Sequence, residues 1–183
     1  MNLLNLTRDN VREILRASEG IPSSVGPRNM AHPLTNHLRS AGYTRNLNVD
    51  GSPSNKTRFI SMADMEEAVW QILQSPVGLA AVKGLKPGYR PNAIKWDLDR
   101  LLAFNCDVPD PQGRPNMRHS VTFTTHEQLR AGFGRTKCLL VIEGRERAGV
   151  THIQVVTAYP SVEKDERQAL LRSVRLNDEF RRR

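Results

Sequence analysis

Residues 150–160 read Val-Thr-His-Ile-Gln-Val-Val-Thr-Ala-Tyr-Pro, and few local sequences leave a backbone less choice. β-Branched side chains crowd a helix and fit a pleated strand, and Pro160 has no N–H with which to continue a ladder. The stretch is expected as a strand, and a strand needs a sheet to pair with. Alternation puts Thr151, Ile153, Val155, Thr157 and Tyr159 on one face and His152, Gln154, Val156 and Ala158 on the other, with His152 crossing over only if a bulge intervenes. Thr157 and Tyr159 are then neighbours. They form either the floor of a site at the sheet's rim or an ordinary strand end turning polar toward water.

The preceding residues share this β character. Residues 101–106, 118–124 and 137–142 are β-rich runs, and 109–115 and 144–149 are hairpin-type connections. Residues 125–130 read as a single helical turn capped by Thr125. Helical patterns lie N-terminal to these strands. Residues 1–20 are amphipathic, with Thr7 as N-cap, Val11, Ile14 and Leu15 on one stripe, and Gly20 beyond the end; this is expected as an appended helix. Pro22, Ser23, Ser24, Gly26 and Pro27 then give linker chemistry. A short helix restarts over 32–40, where Pro33 suits the first turn and His37 borders the face of Leu34 and Leu38. After a long polar loop over 42–56, Ser61 caps the main core helix, with Met62, Met65, Ala68, Val69, Ile72 and Leu73 at helical spacing and Pro76 at its end. Residues 77–85 carry a weaker apolar pattern, and 162–174 can form a charged helix before a basic tail. Helices first and strands second is an α+β order, with N-terminal helices packed on a C-terminal antiparallel sheet of about four strands.

Charge narrows the partners. At 183 residues the chain suits one domain with extensions, and a net charge of +8 with a pI near 10.1 draws it toward RNA, DNA or acidic proteins. Aromatics at 5 % argue against a broad base-stacking platform, whereas a phosphate-tracking groove needs only Lys and Arg. No 18-residue apolar run and no apolar segment after a basic start are present, so neither a membrane span nor an encoded export signal is expected. Cys106 and Cys138 have no Cys-x-x-Cys partner and no histidine at ligand spacing, so buried free thiols are expected. Trp70 and Trp96 are expected to pack at the core and its rim.

One ordered set of motifs goes further. His32-Pro-Leu-Thr-Asn-His37 opens the central region, Thr57-Arg-Phe leads into the Ala68-Val69 helix, and Thr157-Ala-Tyr-Pro160 ends the last strand. In that order and spacing the chain resembles the RNase A-like toxin domain at the C-terminal ends of bacterial contact-dependent growth inhibition proteins. The resemblance covers about residues 30–160. It divides the chain into an N-terminal helix and linker (1–30), the toxin domain (31–160), and a charged helix with a basic tail (161–183).

The resemblance implies a metal-independent ribonuclease that leaves 2′,3′-cyclic phosphate ends, with no cofactor. Its catalytic set would be His37, Thr157, Tyr159 and an arginine. The family's arginine falls on Asn48, so the nearest replacements are Arg45, which needs only a small gap, and Arg58 beside Phe59. His32, Arg58 and His119 are the further candidates for holding substrate, while His126 is expected to be solvent-exposed. The chemistry suits these residue types. Histidine carries protons at neutral pH, and fixed cations and hydroxyls stabilise charge building on a phosphoryl group. No phosphate loop, His-Glu-x-x-His, Gly-x-Ser-x-Gly or two-metal carboxylate cluster is present, which fits a metal-free site. The resemblance further implies a monomer carried by a larger effector into a target cell, an RNA substrate such as tRNA, and an acidic immunity protein. A non-catalytic basic RNA- or protein-binding module explains the charge equally well, and so does a degenerate toxin that has lost its arginine.

Overall fold

The computed structural model describes residues 6–24, 30–38, 56–109 and 118–181. Along them run α1 (Arg8–Ser18), α2 (Pro33–His37), β1 (Thr57–Phe59), α3 (Met62–Gln74), α4 (Pro76–Lys83), β2 (Asn92–Asp97), β3 (Phe104–Pro109), β4 (Arg118–Phe123), α5 (Thr125–Arg130), β5 (Lys137–Arg147), β6 (Val150–Pro160) and α6 (Lys164–Arg181). The class is α+β. The expected sheet of about four strands is replaced by six strands in two antiparallel three-stranded sheets, ordered β1-β3-β4 and β2-β5-β6.

Local chemistry explains the split. A meander would pair β4 with β5, but α5 turns the chain between them, capped by Thr124 rather than Thr125 through a reciprocal box with Glu127. The buried Gln128 then donates to the carbonyls of Leu102 and Phe123, at 2.7 and 3.3 Å, and accepts from the Thr136 hydroxyl at 3.0 Å. That network fixes where β5 begins. β5 pairs on one side with β6 across a short turn and on the other with β2. β2 and β1 were not legible as strands, because β1 has three residues and β2 buries only Ile94.

The larger core lies against the Leu140, Ile142, Val155 and Ala158 face of the second sheet and contains Met65, Val69, Ile72 and Leu73 of α3. Leu6, Val11, Ile14 and Leu15 belong to the same core, so α1 is built in rather than appended. Two ion pairs and a hydrogen bond reinforce it. Arg12 reaches both oxygens of the buried Glu66, at 2.5 and 2.8 Å, Arg8 pairs with Glu67, and the Trp70 indole N–H donates to the Leu6 carbonyl at 2.8 Å. A smaller core joins Phe104, Cys106, Val108 and Phe123 to Leu170 of α6. Cys106 and Cys138 are free and buried as expected, and burial pushes both thiols well above their usual pKa, Cys106 to about 11. Trp70 and Trp96 pack at the edge of the larger core.

The segment between α1 and α2 is tied to the outer face of β5. Glu143, 1 % exposed, accepts from the Ser23 hydroxyl, the Ser24 N–H and the Ser24 hydroxyl, at 3.1, 2.9 and 2.6 Å. The returning chain donates from His32 N–H to the Val156 carbonyl at 3.0 Å. The linker chemistry of residues 21–24 is thus a docked strap that delivers α2 to the open edge of β6.

Candidate functional site

β6 carries the residues the sequence pointed to, but not on the face simple alternation implies. Val141 pairs with Thr157 and Ile142 with Val155, so Val156 is an extra residue and β6 is bulged there. Cross-strand partners share a face. Val155 pairs with Ile142 and enters the core, fully buried, whereas Thr157 and Tyr159 pair with Val141 and Leu139 on the opposite face. The expected grouping of Val155 with Thr157 and Tyr159 is therefore corrected. His152, paired with Arg145, joins the Thr157 face through the bulge, but it is exposed and five residues away from Thr157.

Two elements bring His37 to this face. α2 is a single turn with Pro33 at its start and His37 at its end, and the next residue, Leu38, bridges in parallel to Phe59 of β1. The His37 ring stacks on Tyr159, with centroids 4.7 Å apart and planes at 27°. Its Nδ1 lies 3.0 Å from the Thr57 carbonyl oxygen. A carbonyl can only accept, so Nδ1 carries the proton and the neutral ring keeps its lone pair on Nε2. Thr57 also donates its hydroxyl to the Pro160 carbonyl, so one residue orients the imidazole and ties β1 to the end of β6. His37 is 6 % exposed. Burial lowers its pKa from 6.5 to about 4, the hydrogen bond to Thr57 works the other way, and the charges of His32, Lys56 and Arg58 add to the lowering. At neutral pH it is an uncharged imidazole with a proton-accepting nitrogen.

The other residues fall into place unequally. His32 lies beside His37, ring centroids 5.7 Å apart, with its own Nδ1 2.7 Å from the Met30 carbonyl oxygen. Thr157 is two residues from Tyr159 on the same face, about 7 Å along the strand, and its hydroxyl is buried with no hydrogen-bond partner. Tyr159 is half-buried; burial raises its pKa, and the charge of Lys95, in the same cross-strand row through Leu139, opposes that rise. Arg58 approaches His37 closely enough to act on its charge, but its guanidinium holds both oxygens of Asp107 at 2.7 Å each, with the side chains 14 % and 7 % exposed. His119 stands opposite Val108 on β4, in the other sheet and two strands from β1. Arg45 lies outside the described residues. His126 is exposed, as expected.

Lys56 also lies at this cluster. Its ammonium is 3.5 Å from the Asn36 side-chain oxygen, beside His37. Burial and the charge of Arg58 lower its pKa, while Asp107 works to raise it. Its position next to Thr57 in Lys-Thr-Arg carries no recognisable motif. Among the described residues no group of three His, Cys, Asp or Glu is placed to hold a metal, and no helix is long and apolar enough to cross a membrane. Comparison with family models, curated proteins and solved structures finds no match for this chain.

Proposed function

We propose that this chain is a metal-independent ribonuclease that cleaves RNA by attack of a 2′-hydroxyl on the adjacent phosphodiester, leaving a 2′,3′-cyclic phosphate, and that it acts as a toxin in interbacterial competition. The observation that carries the reading is the cluster in which His37, its tautomer set by Thr57, stacks on Tyr159 beside the unpartnered hydroxyl of Thr157. His37 Nε2 takes the 2′-hydroxyl proton. Thr157 and the phenol of Tyr159 donate to the phosphoryl oxygens as charge builds there, which is the larger part of the work in such a step. A bound phosphate also raises the basicity of His37. Burial is the main cause of the lowered pKa, and the substrate's charge offsets the smaller part that His32, Lys56 and Arg58 add, so the base strengthens when RNA is in place.

The net charge of +8 supports RNA as the substrate and an acidic inhibitor as the partner, because both would be steered by the same field. A second reading, a basic module that binds RNA without cutting it, is favoured by one observation: His37 is as buried as a purely structural histidine would be. One assay separates the two. Total RNA incubated with the protein in EDTA is expected to yield fragments with cyclic phosphate ends, lost in His37→Ala and in Tyr159→Phe. Intact RNA, with affinity that falls steeply as salt is added, would establish the binding module instead.

A further inference from the structure

We propose that the turn Lys86–Tyr89, with Arg90, Arg145 and Arg147 around it, is a second RNA-contacting surface, where single-stranded RNA stacks a base on Tyr89 and rests its phosphates on the cations. Its connection to cleavage rests on the nuclease reading; the binding surface itself does not. The turn is firmly built. Pro87 and Gly88 take its two central positions, Gly88 at φ +79°, and Tyr89 N–H donates to the Lys86 carbonyl at 3.3 Å, the pattern of a type II turn. It docks on β5 through a bridge between Pro87 and Gly144. A Cβ on Gly144 would lie 3.0–3.1 Å from the Lys86 backbone, so the missing side chain is what lets the two segments meet. The strap ties them together. Its Ser24 hydroxyl lies 2.9 Å from the Tyr89 carbonyl oxygen, and its Pro22 carbonyl accepts from the Arg145 guanidinium.

The turn presents an aromatic ring to water. Tyr89 is 64 % exposed, whereas Trp70 and Trp96 pack at the core. The Lys86 ammonium lies 5.5 Å from the Tyr89 ring centroid. A cation over one face of a ring leaves the other face to stack on a base, and such stacking is tolerant of sequence. Residues 83–90 and 143–149 hold five cations, Lys83, Lys86, Arg90, Arg145 and Arg147, against two carboxylates, Glu143 and Glu146. Glu143 is buried and taken up by the strap serines, so the exposed surface keeps a positive excess. The charge fits any polyanion; the exposed ring among the cations favours RNA over an acidic protein. β5 links this surface to the candidate site. Leu139, Val141, Arg145 and Arg147 alternate onto the face that carries Thr157 and Tyr159, and Leu139 is the partner of Tyr159. Arg145 is six residues further along the strand, about 20 Å away. RNA cut beside His37 therefore reaches the Tyr89 turn within a few nucleotides, passing over the strap.

The test compares the full chain in wild type, Tyr89→Ala, Tyr89→Phe and the double variant Lys86→Ala/Arg147→Ala, with matched thermal melts to exclude misfolding. Binding is measured by fluorescence anisotropy on a single-stranded, mixed-sequence oligonucleotide carrying 2′-O-methyl groups, which lacks the attacking hydroxyl. Tyr89→Ala is expected to weaken binding about 5- to 100-fold, the range for one base stacked on an aromatic ring, and Tyr89→Phe to restore it. The double variant should bind more weakly, with a slope of log Kd against log salt that is shallower by about 1.4, from two lost phosphate contacts on a single strand. Cleavage is then measured on an unmodified oligonucleotide and on dinucleoside monophosphates, which are too short to span both places. KM for the oligonucleotide should rise in Tyr89→Ala by the factor lost in binding, while dinucleotide cleavage stays at the wild-type rate. Wild-type affinity in both Tyr89→Ala and the double variant overturns the proposal, and so does polyglutamate that competes with the oligonucleotide as well as RNA does. Intact RNA and intact dinucleotides, together with binding that depends on Tyr89, would overturn the nuclease reading and leave the surface standing.

Discussion

His37 stays neutral because placing a cation at a buried position costs more than the hydrogen bond to Thr57 returns, and His32, Lys56 and Arg58 add like charge around it. This has a measurable consequence for stability. The unfolded imidazole titrates near 6.5 and the folded one near 4. Between those values the unfolded chain holds the extra proton, so stability is full above the upper value and declines as pH falls toward the lower one. At about 1.4 kcal/mol per pKa unit the loss is on the order of 3 kcal/mol as an upper bound. Urea melts at pH 7, 5.5 and 4.5 should show this decline in wild type, and His37→Asn, whose amide can still donate toward Thr57, should show a smaller one. Equal slopes for the two proteins would mean that His37 is not the titrating group. At this scale His37, Thr157 and Tyr159 could be chosen from sequence because their types suit the chemistry. The engagement of Arg58 by Asp107 could not, since the carboxylate is 49 residues away.

At the scale of elements, capping and periodicity located the helices well. α1 starts after Thr7 and α3 after Ser61, both with the side-chain bond that the motif implies. Pro76 ends α3 but also opens α4, capped by Ser75, and this corner depends on Gly78. A Cβ built on Gly78 would lie 1.9 Å from the Ile72 carbonyl oxygen and 2.9 Å from Leu73 Cα, both backbone atoms that cannot step aside. Gly-to-Ala normally favours a helix by up to about 1 kcal/mol. Gly78→Ala should do the reverse and lower the melting temperature, whereas a stabilised variant would show that α3 and α4 are not packed this closely. The bulge at Val156 is the element-scale event that sequence did not show. A one-residue insertion leaves composition and β-propensity unchanged and still moves every later side chain to the other face. Without it Thr157 and Tyr159 would point into the core with Val155.

For the whole molecule, the main departure from the sequence reading is that the N-terminal helix and the last strand share a core. Leu15 is fully buried in it, so Leu15→Ala should cost ~2–5 kcal/mol, as large-to-small changes in cores do, and should shift one cooperative unfolding transition. An early, separate transition for α1 with the remainder unaffected would restore the appended-helix picture. The sequence by itself determined the class and most of the elements, because periodicity, caps and β-branched runs are local properties that neighbouring residues can satisfy. It also singled out the Thr157–Tyr159 end of β6 and the histidine that meets it. Tertiary structure alone decided that the strands divide into two sheets, that β1 and β2 complete them, that the bulge turns Thr157 and Tyr159 away from the core, and that Arg58 is held by Asp107. Strand pairing and ion-pair choice are settled by residues tens of positions apart competing for the same backbone groups and charges. A chain read in order does not contain the distances on which that competition turns.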